Sequence, residues 1–208
     1  MSGLKNFCGI DVSSSSLDFI VLSKTDSTKI SAKGIRSRAK DFVQIPNTAT
    51  AIKSKFSQAV FDDTLFILET TGTYSSKLLH ELSKIGRPIS VVSPYQSKSY
   101  MASKGITNKN DKNAAFCLAK MGKNEELRLY KAPSMEMQER KQLISAHWAL
   151  EKQARMLGNQ IHALEQYPQV NQLAISALQE VLDPLNKQFR DLKNNSINLA
   201  KTPTMSKK

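Results

Sequence analysis

Apolar residues follow two different rules along the chain. Up to about residue 130 they come in short continuous runs, and from Leu143 onward they recur in steps of three and four. Phe7 to Val12 and Leu17 to Leu22 are strand-length runs joined by Ser13–Ser16, which predicts a hairpin with a four-residue turn. Thr28 to Ile35 predicts a third, less apolar strand. Asn47 is placed to cap a helix running to about Val60, with Ile52, Phe56 and Val60 on one face. Thr64 to Glu69 is apolar throughout and ends in an acid, the pattern of a strand covered on both sides. A helix through Leu78, Leu79, Leu82 and Ile85 should stop at Gly86, and Pro88 to Val92 predicts a strand ended by Pro94. A last helix is expected from about Asn110 to Met121. Hairpin strands first, then strands alternating with helices, describe an α/β mixed sheet flanked by helices.

The second regime is a heptad seam: Leu143, His147, Leu150, Ala154, Leu157, Ile161 and Leu164. Gln166–Asn171, with Pro168, breaks it, and a second seam runs through Ile175, Leu178, Leu182, Leu185, Phe189, Leu192 and Leu199. Pro184 should kink or restart that helix with Asp183 as cap. His147 reads as a packed, register-setting polar residue rather than a metal ligand. The expectation is an antiparallel coiled-coil hairpin that continues into a second copy, giving a homodimer or higher homo-oligomer.

Composition narrows the class. At 40% apolar and 23% charged residues the 208-residue chain is globular, and no apolar run approaches the roughly 20 residues of a membrane span. Cys8 and Cys117 stand far apart, which excludes a disulfide scaffold and a zinc ribbon and suits a reduced, cytoplasmic protein. The net charge of +12 favours a polyanionic partner. Residues 1–132 hold 20 basic and 11 acidic residues, net +9, whereas the remainder is net +3. The densest cationic stretch contains Lys84, Arg87, Lys98, Lys104, Lys109 and Lys112 against Asp111 alone. These six are the candidate phosphate contacts.

Three acids stand where chemistry is expected. Asp11 interrupts an apolar strand ahead of a serine turn, Glu69 ends a later strand, and Asp111 opens a helix inside the basic stretch. Each has a structural reading too: turn N–H groups for Asp11, dipole compensation for Asp111. Together they suit a divalent-cation site for phosphodiester chemistry, where two Mg²⁺ ions about 4 Å apart need several carboxylates. A helix normally adds two acids at i and i+3 or i+4, yet Asp111 is followed there by Ala114 and Ala115.

Several motifs follow in a specific order: Gly9-Ile10-Asp11-Val12-Ser13 with Leu17-Asp18, Glu69-Thr70-Thr71-Gly72-Thr73-Tyr74, Val91-Val92-Ser93-Pro94, and Lys109-Asn110-Asp111 with Ala114-Ala115 and Leu118-Ala119. This series resembles the DEDD transposases, insertion-sequence recombinases with a RuvC-like domain that include the Piv-type DNA invertases. The resemblance covers about residues 6–132, and Arg128–Ser134 leads into what resembles the family's coiled-coil region. It implies an RNase H-like (RuvC-like) fold and four acids that bind Mg²⁺ (or Mn²⁺) for DNA strand cleavage and exchange. By position the first three are Asp11, Glu69 and Asp111, and Ala114 occupies the place of the fourth. It further implies DNA as partner, together with a structured guide RNA.

The domain plan expected is a RuvC-like unit at 1–132, a dimerising coiled-coil hairpin at 133–202, and at 203–208 the start of a serine-bearing domain that the chain lacks. On that reading the chain is a transposase portion that is catalytically incomplete. The alternative is a non-catalytic nucleic-acid-binding and dimerisation module derived from a transposase. An actin-like or sugar-kinase ATPase also opens with a Gly-x-Asp strand and a Ser/Thr turn. It needs glycine-rich phosphate loops, and all eight glycines here stand alone.

Overall fold

The structure, a computed structural model, describes residues 3–70, 72–107 and 110–201, with side chains as far as 192. The chain divides into two compact units, Met1–Ala132 and Pro133–Lys208.

The first unit is built on a five-stranded sheet. Strands β1 (Asn6–Val12) and β2 (Ser16–Ser23) form the expected hairpin, with Cys8 opposite Val21 and Asp11 opposite Asp18. Ser13 Oγ accepts the Ser16 N–H at 2.9 Å, so the serines close the turn themselves. Strand β3 (Val43–Pro46) pairs antiparallel with β2. Strands β4 (Thr64–Glu69) and β5 (Ile89–Val92) then join on the other side of β1, parallel to it. The order is β3-β2-β1-β4-β5. A short turn can only reverse the chain, whereas a helical crossover returns it in the same direction, which explains the change from antiparallel to parallel.

Alternation along the strands supplies two cores. Cys8, Ile10, Val12, Leu17, Phe19, Phe66 and Leu68 face α2 (Ala49–Phe56) and α3 (Ser76–Lys84), meeting Ile52, Phe56, Leu78 and Leu82. Phe56 makes edge contacts at 5.1–5.2 Å with Phe19, Phe61 and Phe66, each pair worth about 0.5–1.5 kcal/mol beyond burial. Phe7, Ile20, Leu22, Leu65 and Ile67 face the other way, toward helix α5 (Asp111–Asn124), with its Ala115, Phe116, Leu118 and Ala119. Asn110 caps α5 by accepting the Asn113 N–H at 2.8 Å.

Four local expectations are corrected. The stretch expected as a third strand, Thr28 to Ile35, instead leads into helix α1 (Ala32–Ser37). Asp26 accepts the Thr28 N–H at 2.9 Å and Ser31 accepts that of Gly34 at 3.1 Å, so side chains bend this backbone out of an extended path. Asn47 does not cap α2. Thr48 does, the helix ends at Phe56, and Val60 is exposed while Phe61 turns inward through a single 3₁₀ turn. Pro94 ends a strand but also begins helix α4 (Pro94–Ser103), which the periodicity did not reveal. Ser93 and Gln96 form a capping box around it, with hydrogen bonds of 3.2 and 2.9 Å.

The second unit is two long helices, α6 (Met135–Glu165) and α7 (Gln172–Lys201), packed on one another. The heptad residues of α6 from Leu143 to Leu164 are half-buried, as are Glu151 and Gly158, with Ile161 buried. His147 stacks on Phe189 with ring centroids 4.4 Å apart. Pro184 lies inside one continuous α7, so the expected restart at Asp183 does not occur. Pro184 and Glu180 are both exposed, so water satisfies the carbonyl that loses its helical N–H.

Candidate functional site

Strand pairing puts Asp11 and Glu69 together. β1 and β4 run parallel with Ile10 level with Leu68, so the next residues, Asp11 and Glu69, stand side by side at the carboxyl end of the sheet. Alternation turns both toward the α5 face, the face shared by Phe7, Gly9 and Ile67. Glu69 is buried and Asp11 half-buried. In open α/β sheets ligands bind beyond the carboxyl ends of the strands.

Helix α5 crosses β1 in the opposite direction. Gly122 lies against Phe7 and Ile67, and Gly9 lies against Ala115 and Ala119. One turn further back, the start of α5 reaches the end of β1 that carries Asp11. Asp111 is exposed in that first turn, and Ala114 is 1% exposed, on the covered side of the helix. The crossing thus brings the first turn of α5, with Asp111 and Ala114, to the end of the sheet that carries Asp11 and Glu69. Asp18, which the sequence offered only as part of the first motif, stands directly opposite Asp11 on the same face. Like charges opposite each other repel. The Gln44 amide donates to both Asp18 oxygens at 3.0 Å and offsets that repulsion. A symmetric serine turn, pairing Val12 with Leu17, was the available signal for this juxtaposition.

Asn47 was expected only as a helix cap. It is buried, and its amide donates to the carbonyls of Ser13 at 2.8 Å and Tyr74 at 3.1 Å. One side chain therefore ties the turn after Asp11 to the loop after Glu69.

The oxygen donors suit a hard divalent cation in kind. Among the described residues, however, no three Asp, Glu, His or Cys groups come close enough to hold an ion together. The described residues therefore do not complete a cation site. Neither cysteine is a substitute, because both are buried. Burial pushes the Cys8 thiol up and that of Cys117 up to about 11.

The candidate phosphate contacts separate. Arg87 is engaged in the fold: it pairs with Asp62 at 2.6 Å and donates to the Phe56 carbonyl at 2.9 Å. Lys84 ends α3, ahead of the start of β5 and away from Glu69. Lys98 and Lys104 are exposed on and just after α4, and Lys112 is exposed in the first turn of α5. Lys104 lies over the Tyr100 ring at 5.2 Å and Lys112 over Phe42 at 5.7 Å, so aromatic faces orient both. Lys109 lies outside the described residues.

A three-stranded antiparallel meander continued by two parallel strands, with acids on the first strand and the fourth, defines an RNase H-like α/β unit. The chain matches the DEDD transposase family, described as a transposase, over residues 8–167, and it belongs to that family. It is 38% identical over 68 residues to the pilin gene-inverting protein of Moraxella bovis, a match covering 33% of this chain and 21% of that protein. The chain therefore spans about a fifth of the length of that relative. Among solved structures it is similar to Thermus thermophilus RuvC (12% identity, TM-score 0.35) and to T. thermophilus RuvC in complex with a Holliday junction substrate (13%, TM-score 0.33). Each match covers 60% of this chain and 99% of the other. Among the described residues no helix is long and apolar enough to cross a membrane.

Proposed function

We propose that this chain is a DNA-binding part of a transposase whose cleavage site is one carboxylate short. Asp11, Glu69 and Asp111 take the roles of the family's first three acids, and Ala114 leaves the fourth unfilled. The crossing of α5 over β1 at Gly9 carries this reading, because it sets Asp111 and Ala114 at the Asp11 end of the sheet. A divalent ion would supply charge stabilisation for phosphodiester cleavage if the site were complete. The chain's own residues hold two strand carboxylates in place, in a unit whose net charge of +9 attracts a polyanion. Binding without turnover is the expected behaviour. Metal-dependent strand cleavage by this chain would overturn it.

Restoring the acid tests the assignment. Ala114→Asp should raise Mg²⁺ affinity by about tenfold or more in titration calorimetry, since a second helix carboxylate then joins the strand acids. The variant should be less stable than the parent without the ion, because the new charge is buried, and the ion should restore the loss. Equal Mg²⁺ binding by both proteins would remove Ala114 from the site.

DNA affinity should fall steeply with salt. Replacing Lys98, Lys104 and Lys112 with Gln should reduce the slope of log affinity against log salt by about 0.9 for each phosphate no longer neutralised. An unchanged slope would remove these lysines from the interface.

A further inference from the structure

Tyr74 and Tyr95 are 54% and 80% exposed. Both belong to the end of the sheet that carries the carboxylates. Tyr74 follows Glu69 in the loop after β4. Tyr95 follows β5, whose last residue, Val92, pairs with Glu69.

The backbone under each ring is fixed. Gly72 turns the chain at φ +60°, and the buried Ser75 hydroxyl donates to its carbonyl at 3.3 Å. Buried Asn47 holds the Tyr74 carbonyl with the same amide nitrogen that holds Ser13, two residues past Asp11. Tyr95 sits in the first turn of α4, between Pro94 and the capping-box Gln96. A rigid backbone presenting a large ring to water loses little entropy when a flat partner stacks on it.

Charge identifies that partner. Lys77 and Lys98 are exposed, and each stands three residues beyond one of the tyrosines, in a unit of net +9. A flat apolar face with a cation beside it matches a nucleotide, base on ring and phosphate on ammonium. Paired bases inside a duplex do not offer their faces, so the complement is an unpaired strand. We propose that Tyr74 and Tyr95 form a stacking platform for unpaired bases of a DNA strand. The substrate of this site is then DNA with a locally opened segment rather than intact duplex. This rests on the DNA-binding reading above.

The experiment compares single-stranded and blunt duplex oligodeoxynucleotides of one sequence, with 2-aminopurine as the stacking reporter. Tyr74→Ala and Tyr95→Ala should each weaken single-strand binding by about tenfold and abolish the 2-aminopurine quenching. Duplex affinity and its salt slope should stay unchanged. Tyr74→Trp should bind as well as the parent or better, which answers any objection that the alanine variant is misfolded. Alanine variants that bind single strands like the parent, or that lose single strand and duplex equally, would overturn the platform. A loss seen with oligoribonucleotides alone would overturn its assignment to DNA. If the parent binds no oligonucleotide in a salt-dependent way, the DNA-binding reading itself fails and the platform goes with it.

Discussion

Gly9→Val should unfold the first unit or cost it about 3 kcal/mol or more, measured as a shift in the urea midpoint. A Cβ at this position would lie 2.0 Å from the Ala115 carbonyl oxygen and 2.3 Å from the Ala119 amide nitrogen. Both are helix backbone atoms, so no rotamer change relieves the overlap. The helix must move off the strand and open the core formed by Phe7, Ile67, Phe116 and Leu118. Because that crossing also brings the start of α5 to the end of the sheet that carries Asp11, surviving protein should lose any Mg²⁺ response conferred by Ala114→Asp. Gly3→Ala is the control, since nothing lies within 4 Å of a Cβ there. Equal midpoints for Gly9→Val and the parent would mean that α5 does not pack this closely.

Asp26→Asn is the second substitution expected to be severe, at about 3–5 kcal/mol. Asp26 is a buried carboxylate among three cations. It accepts from Lys120 Nζ at 2.7 Å and pairs with Arg38 at 3.1 Å, while its carbonyl accepts from Lys123 Nζ. Removing that carboxylate leaves the equally buried Lys120 ammonium without its ion-pair partner. Lys120→Met should cost less, because Asp26 retains Arg38 and the methionine packs where Lys120 covers the Phe116 ring. Burial pushes the Asp26 carboxyl up. Hydrogen bonds from Lys120 and Thr28, with the Lys120 charge, outweigh it and hold the group below the usual carboxylate range. A lowered folded value means that this stability is present above about pH 4 and is lost as pH falls through the folded value. Urea midpoints of the parent should therefore drop below pH 4, and Asp26→Asn should lack that component. Parallel pH profiles for the two proteins would refute the assignment.

Local signals made much of this unit legible. The β1–β2 hairpin, the covered strand β4 and the stop of α3 at Gly86 all follow from alternation, run length and a glycine at φ +72°. Failures came where a side chain competed with the backbone pattern. Ser31 and Asp26 turned an apparent strand into the approach to α1, and Thr48 rather than Asn47 took the cap of α2. Helix α4 was written in Ser93-Pro94-Tyr95-Gln96, a capping box with proline at the first helical position, and its weak amphipathicity hid it. At the site, the acids were legible from their places at strand and helix ends. Helical spacing showed only that Ala114 and Ala115, not a second acid, follow Asp111 at i+3 and i+4.

Residue order and short-range spacing were enough to set the acid series, the heptad seams, the cationic excess of the first unit and the resemblance to DEDD transposases. These depend on neighbours two, three or four positions apart, which the chain carries whatever its final shape. Tertiary structure alone decided which distant residues meet. Asp18 faces Asp11 because the hairpin closes in one register, and Asn47 joins the loops after Asp11 and Glu69 because β3 returns beside β2. Lys120 finds Asp26 across 94 residues only when α5 lies down on β1, which the bare surface of Gly9 permits. Such contacts form when strand pairing and helix docking bring remote segments together, and no local period encodes them.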